Sequence, residues 1–509
     1  MGRMIRKLLK AGLILVVVLA ASAGVLYLLG VRMVMDGGAG IHFGFVKSAE
    51  EQAEEIARHR EAQRTQGPPP AAVAVPSSGD PAAISAPASP GAPADPASPA
   101  NPASPANPAS PASPALPAGP APSDWPEFRG AARDGHYRAT PIRTDWPATG
   151  LTPMWKQPVG GGYASFVTAG GQAFTIEQRA REEVVAAYDV MTGRELWTSS
   201  WTARFSETMG GDGPRATPTW SNGRVYALGG EGELRALDAR DGRVLWRTNI
   251  LTDAGAENRA WGMSGSPLIV DNAVVVTPGG AGGKSLIAYD AATGRQAWSA
   301  LDDRTSYSSP MLVTIGGVRQ ILYFTGSRLV ALTPGEGREL WSHPWVTDPA
   351  VNASQPLLIG DNRVFISTGY GKGATVIELT RAGDTFSARE VWRNIRMKNQ
   401  FTSSVLHEGF IYGLDEAILA CVDAATGDLK WKGGRYGYGQ LMMANGHLIV
   451  MTEGGDMALV RATPSKHEEV SRFKVFDART WNHPAISNGI LLVRNLEEMA
   501  AFDLRSAAR

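Results

Sequence analysis

The chain has 509 residues, and its 49 Lys and Arg are balanced by 49 Asp and Glu, so no overall field draws it to nucleic acid or another polyanion. A single cysteine, Cys421, excludes an internal disulfide and any multi-thiolate metal site. The 8 histidines are scattered, with no pair at metal-binding helical spacing.

In chain order, Arg3, Arg6, Lys7 and Lys10 precede an uncharged run over residues 11–31, about the length that crosses a hydrocarbon core. Residues 1–35 are therefore predicted to be a membrane anchor, a transmembrane helix, or alternatively a signal peptide. Ala21-Ser22-Ala23 resembles a cleavage site, yet the apolar run continues beyond it, which favours retention. The basic flank stays cytoplasmic and everything after residue 35 lies outside. The expected placement is a single-pass inner (cytoplasmic) membrane protein with its folded part in the periplasm or another extracytoplasmic space.

Residues 36–66 form a juxtamembrane charged segment, and "KSAEEQAEEIARHREAQRT" predicts a short solvated helix with too few apolar positions for a heptad seam. Residues 67–123 are rich in Pro, Ala and Ser, cannot build a core, and are predicted to be a disordered, extended linker. At about 3 Å per residue, such a tether reaches well over 100 Å.

From residue 124 to 509 the pattern changes. Hairpin-like strand pairs such as "RVYALGGEGELRALD" and "HLIVMTEGGDMALVRAT" recur. A phrase with fixed spacing follows each pair: Asp189, Gly193 and Trp197; Asp238, Gly242 and Trp246; Asp290, Gly294 and Trp298; Asp423, Gly427 and Trp431. A fifth copy has Thr333 in place of the aspartate, then Gly337 and Trp341. With Trp155 and Trp392 added, successive tryptophans stand 39 to 52 residues apart, the length of a four-stranded propeller blade.

An eighth copy near Phe473 lacks the Gly-Trp pair, and the copy before Trp392 has a longer turn. The last phrase, Ala501-Phe502-Asp503, stops before any tryptophan, whereas Trp155 ends a strand with no repeat before it. The two fragments complete one another. The fold class is therefore all-β, an eight-bladed propeller whose N-terminal strand closes the ring. A tryptophan buries on the order of 200 Å², so the phrase is structural: rings lodge between blades, the glycine supplies the turn, and the aspartate satisfies local donors.

At these residues the chain resembles the PQQ-like (pyrroloquinoline-quinone-like) propeller superfamily, whose docking motif Ala-x-Asp-x-x-Thr-Gly-x-x-x-Trp is matched at every specified position by residues 288–298. The resemblance covers residues 124–507, and "DWPEFRGAARDG" is similar to the first segment of many bacterial members. It implies the propeller fold. Its activities range from quinoprotein alcohol and glucose dehydrogenases to a lipoprotein of the outer-membrane β-barrel assembly machinery.

The expected function is a protein-binding scaffold, in cell-envelope assembly, with a protein partner, no nucleic acid and no cofactor. The alternative is a PQQ-dependent dehydrogenase oxidising alcohols or sugars with calcium, and a third reading is a small-ligand sensor. Against the enzyme stand the lack of adjacent cysteines, of a haem-binding motif and of long insertions; no catalytic or metal-binding residue is assigned. The candidate recognition face gathers residues before the inner strands: Arg215, Arg259, Trp261, Tyr307, Gln355 and Lys398, then Gln400, Tyr436, Tyr438, Trp481, Asn482 and His483. "GGAGGKS" over 279–285 lies between strands with no helix after it, so it is a hairpin loop rather than a phosphate cradle.

Overall fold

The second and third strands of each repeat are almost continuously apolar, as in His447–Met451 and Met457 to Val460, because both faces are covered by neighbouring sheets. Outer strands such as Glu195–Thr202 alternate between half-buried and exposed positions. The computed structural model describes residues 2–28, 31–35, 40–45, 47–65 and 121–506, except 122, 148 and 349. Among them, eight sheets, each with four antiparallel strands and one with a fifth, parallel strand added, are arranged as the blades of a propeller.

Blades 1 to 7 follow the chain over residues 167–202, 219–249, 268–300, 311–344, 357–394, 405–435 and 440–474. Blade 8 joins both ends of the propeller. Ala485–Ser487, Ile490–Arg494 and Glu498–Asp503 supply three strands, and Trp155–Pro158 supplies the fourth, with Trp155 opposite Ala501. The predicted clasp is thus present.

The repeated phrase is a joint between blades. Asp290 Oδ1 accepts from the Thr293 N–H at 2.8 Å and from its hydroxyl at 2.7 Å, which closes the turn. Gly294 then sits at φ +72, where a Cβ would lie 2.7 Å from the Trp246 ring of the preceding blade. Trp246 Nε1 donates to the Ala291 carbonyl at 3.0 Å. Trp155, Trp197 and Trp392 likewise reach the carbonyl just after the next blade's aspartate, at Val190, Ala239 and Ala424. Their rings cover Gly193, Gly242 and Gly427, and the Trp298 ring covers Gly337.

Three joints depart from this plan; at one of them blade 7 carries no motif glycine, and Trp431 of blade 6 donates to the Thr463 carbonyl at 2.8 Å with His467 edge-on to its ring at 5.6 Å. Blade 5 carries no motif glycine; its ten-residue strands Gly373–Ala382 and Thr385–Asn394 instead bring Phe386 and Ala388 against the Trp341 cluster, and Trp341 donates to Gln320 of its own blade at 2.7 Å. Blade 7 ends in Phe473, which packs on Gly150, Trp146 and Phe502. Thr149-Gly150 therefore completes the phrase that Asp503 begins, so the motif, like its blade, is split between the chain's two ends.

Helix α1, Gly2–Leu28, forms over the apolar N-terminal run, and Val31–Met35 pairs with Ile41–Phe45 as a hairpin. The expected spanning helix is met only in part: among the described residues no helix is long and apolar enough to cross a membrane. The described α1 side chains that are exposed include Leu13, Leu15, Val16 and Leu19. Helix α2, Ala49–Thr65, lies in the charged segment, but it is not solvated all round; Ile56 and Arg60 are buried against the propeller. The predicted linker over 67–123 lies almost wholly outside the described residues.

Candidate functional site

Antiparallel strands put the turns within the first and last hairpins of a blade on one end of the wheel. The connections between blades and the middle turns fall on the other. That second end opens into a cavity of about 530 Å³.

The cavity does not run through the wheel, because residues 125–137 fill the channel beneath it. Trp125 bridges to Thr168 of blade 1, and His136–Tyr137 adds a parallel strand to the inner edge of blade 7. Arg129 gives hydrogen bonds to the carbonyls of Ser403 and Ser404 at 3.2 and 2.7 Å. Arg133 bonds the carbonyls of Ser266, Pro267 and Pro310, and pairs with Glu127 at 2.6 Å. Both guanidiniums are buried, and between them they hold the inner strands of blades 3, 4 and 6. The Phe128 ring makes the cavity floor, edge-on to His483 at 5.7 Å.

Burial and the nearby Arg129 charge push the His483 pKa down to about 3, so its ring is neutral. Its Nδ1 lies 2.7 Å from the Pro484 carbonyl and its Nε2 3.3 Å from Arg129, which assigns the proton to Nδ1 and leaves Nε2 to accept from the guanidinium.

The wall is aromatic. Tyr163 and Trp481 lie 5.2 Å apart, Trp481 and Phe401 4.8 Å, and Phe401 and Tyr438 5.9 Å; Trp261 and Tyr307 face them as a second pair at 5.2 Å. Such rings bring large contact area at low entropic cost. Arginines brace them. Arg479 stacks over Trp481 at 4.1 Å and donates to the Tyr163 hydroxyl at 2.7 Å, while Arg215 lies 5.5 Å over Tyr163 and pairs with Glu207 at 2.8 Å. Burial lowers the Arg215 pKa, an effect opposed by Tyr163 and Glu207. Glu453 accepts from Trp481 Nε1 at 3.0 Å and fixes that ring's orientation.

Of the predicted face, Arg215, Trp261, Tyr307, Gln400, Tyr438, Trp481 and His483 line this cavity. Arg259 stands beside it, 5.6 Å over Tyr307 and on the wall of a second recess. The other four are placed elsewhere. Gln355 and Asn482 are buried and bond carbonyls of Ser309 and Gly162 in the connections that lead into inner strands, Lys398 is paired with Asp415 at 2.7 Å, and Tyr436 is buried, donating to Glu469 at 2.6 Å. Phe128, Tyr163, Phe401, Tyr370 and Glu416 also line the cavity and were not singled out from the sequence. Phe401 is the neighbour of Gln400, and Tyr163 occupies the connection into blade 1, so the rule that found the others reaches both. The 279–285 loop joins two strands of blade 3, as expected.

A quinone bearing carboxylates and held with a calcium ion does not fit these residues. Such a ligand set needs free cations and several oxygen donors converging on one point. Arg215 is already paired with Glu207, Glu416 adds a like charge, and among the described residues no three His, Cys, Asp or Glu side chains gather to hold a metal.

A family model described as "Outer membrane protein assembly factor BamB" matches residues 181–433. The BamB of Burkholderia pseudomallei is 24% identical over 317 residues, which are 59% of this chain and 74% of that protein. The quinohemoprotein alcohol dehydrogenase ADH-IIG of Pseudomonas putida is 34% identical over 121 residues, 23% of this chain; the match spans only 16% of the enzyme. Among solved structures, BamB from Moraxella catarrhalis superposes with a TM-score of 0.50 at 12% identity, covering 70% of this chain and 99% of that one. Quinohemoprotein alcohol dehydrogenase from Comamonas testosteroni gives 0.53 at 13% identity, covering 76% and 81%. The resemblance to the PQQ-like propeller superfamily is thereby shown, with relatives on both its assembly-factor and its dehydrogenase sides.

Proposed function

We propose that this PQQ-like propeller is a membrane-tethered, extracytoplasmic protein-binding scaffold that acts in cell-envelope assembly through its cavity-bearing face. The observation that carries the reading is the cavity itself: a closed floor, an arc of stacked aromatic rings and arginines bracing its rim. Tyr, Trp and Arg at the centre of a concave patch are the residue types that dominate binding energy between proteins. The likeness to outer-membrane assembly factors over more than half of the chain agrees with a role in the envelope.

Tethering rests on the basic N-terminal flank, the uncharged run over 11–31 and the helix α1 built on it; at 1.5 Å per residue a helix of that length reaches about 40 Å. The test uses the full chain in its own membranes with a photoreactive phenylalanine analogue at Tyr370, an exposed position on the cavity rim. A discrete crosslinked protein is expected, together with retention in the membrane after alkaline extraction. Saturable binding of PQQ and calcium with dye reduction by alcohols or sugars would instead establish the dehydrogenase.

A further inference from the structure

Helix α2 is attached to the wheel by a stripe that is mostly polar. Gln52, Ile56, Arg60 and Gln63 share one helix face by their spacing. Gln52 Nε2 donates to the Val159 carbonyl at 2.9 Å, Arg60 to the Pro158 carbonyl at 2.9 Å, and Gln63 to Gln157 Oε1 at 2.8 Å. All three partners belong to the N-terminal strand that closes the ring, or follow it directly.

Arg60 also lies 3.4 Å from Glu195 and 5.2 Å from the Tyr188 ring, beside Glu177 and Arg179 of blade 1. Burial raises the Glu177 carboxyl, but Arg179, Arg494 and Arg60 outweigh it and hold it ionised. The helix thus bridges the seam between blades 8 and 1 through a buried charge network.

Its direction matters. The start of α2 is at the cavity-bearing end: Gln52 reaches the Leu496 carbonyl in the middle turn of blade 8, and Glu50 lies 3.9 Å from Arg204 in the connection after blade 1. That same connection contributes Glu207, Met209 and Gly210 to the cavity. Gln63 lies lower on the outer edge, beside Gln157, which bonds the Gly193 carbonyl in a turn of the opposite end. Ser123, two residues after the described chain resumes, accepts from the Asn488 N–H at that opposite end too. Both ends of the Pro/Ala-rich stretch are therefore anchored on the wheel. Only the short segment between α1 and α2, part of it folded back as a hairpin, separates the membrane helix from the cavity-bearing end.

We propose that α2 turns the cavity-bearing face toward the membrane that holds α1. The Pro/Ala-rich stretch is then an excursion from the far side of the wheel rather than a spacer beneath it. This inference rests on the tethered reading above.

The test places a donor dye at Ala281→Cys, on the cavity-bearing end of blade 3, or at Ala292→Cys, on its opposite end; both alanines are exposed, and the native Cys421 is buried. Full-length chains are reconstituted in phosphatidylethanolamine–phosphatidylglycerol vesicles with an acceptor on the lipid headgroup. Energy transfer at position 281 is expected to exceed that at 292 at least twofold. Ile56→Asp with Arg60→Ala, which removes the clasp, should bring the two values together, with near-ultraviolet circular dichroism confirming that the wheel stays folded.

Chains that float with the vesicles but give equal transfer at both positions would overturn the orientation while leaving the tether intact. Chains that do not float overturn the tether, and this inference with it.

Discussion

The outer joints and the central channel use opposite strategies. Around the rim one device is repeated, with a ring on a glycine and an indole N–H on the next carbonyl, so the same few residues close several joints. Along the axis the channel is filled and held by Arg129 and Arg133, which come from a segment outside the repeats. Repetition therefore encodes the wheel, and departures from repetition mark where it is plugged, clasped and able to recognise something. The rim variants test the first half of that contrast, the axial ones the second.

The largest effect is expected on the axis. Arg133→Ala removes a buried cation and leaves the Ser266, Pro267 and Pro310 carbonyls without their donor. Removing one partner from a buried charge network costs about 3–5 kcal/mol, which should appear as a marked fall in the urea midpoint of unfolding. A midpoint unchanged from wild type would mean that the rim alone holds the ring.

Next is Glu183, buried between blades 1 and 2, where it accepts from the Gly230 N–H at 2.8 Å. Burial raises its pKa to about 7. The folded state thus keeps a proton that the unfolded chain gives up near its ordinary carboxylate range. This contribution to stability is fully present below that range and is lost as pH rises through 7. Glu183→Gln should match wild type near pH 4.5 and exceed it by roughly 3 kcal/mol at pH 8. His483 works in the opposite sense: its folded pKa of about 3 means stability is lost as pH falls from 6.5 toward 3. It does so equally in both proteins, so the difference between them isolates Glu183.

The rim comes third. Gly294→Ala places a methyl group against Trp246 at a positive φ, and should cost about 2–3 kcal/mol from the left-handed conformation together with displacement of the ring. Gly335 is its control, because a methyl group added there would meet nothing within 4 Å. Gly335→Ala should leave the melting temperature unchanged or raise it slightly. Equal losses at both positions would show that neither the positive φ nor the Trp246 contact sets the cost at Gly294.

These variants also separate what the chain's letters disclose from what they conceal. The tryptophan spacing was enough to count blades and to join Trp155 to residues 501–503, because a ring buried against a neighbour has to recur once per blade. Gly150 escaped notice because its share of the split motif is five residues, not four, from Trp155. The α2 contact was hidden for another reason: its stripe is Gln, Ile, Arg and Gln, and amphipathic periodicity registers apolar faces only. Arg129 and Arg133 bond mainly to backbone carbonyls, which carry no residue identity. For the cavity, the rule of residues before inner strands located most of the aromatic wall, but it also gathered Gln355, Lys398, Tyr436 and Asn482, whose polar groups are taken up by internal partners.

The smallest change in stability is expected where the change in binding is greatest. Tyr370 is 43% exposed on the cavity rim, so Tyr370→Ala removes little packing and should lie within about 0.5 kcal/mol of wild type. Its ring nevertheless stands at the mouth through which any partner enters, and loss of one aromatic anchor commonly costs about 2 kcal/mol of binding, roughly a thirtyfold fall in affinity. Titration of the full-length protein against its crosslinked partner measures the two quantities independently. A variant that keeps full affinity would move the recognition surface away from the cavity, whereas one that loses affinity at unchanged stability separates the function of the axis from the architecture of the rim.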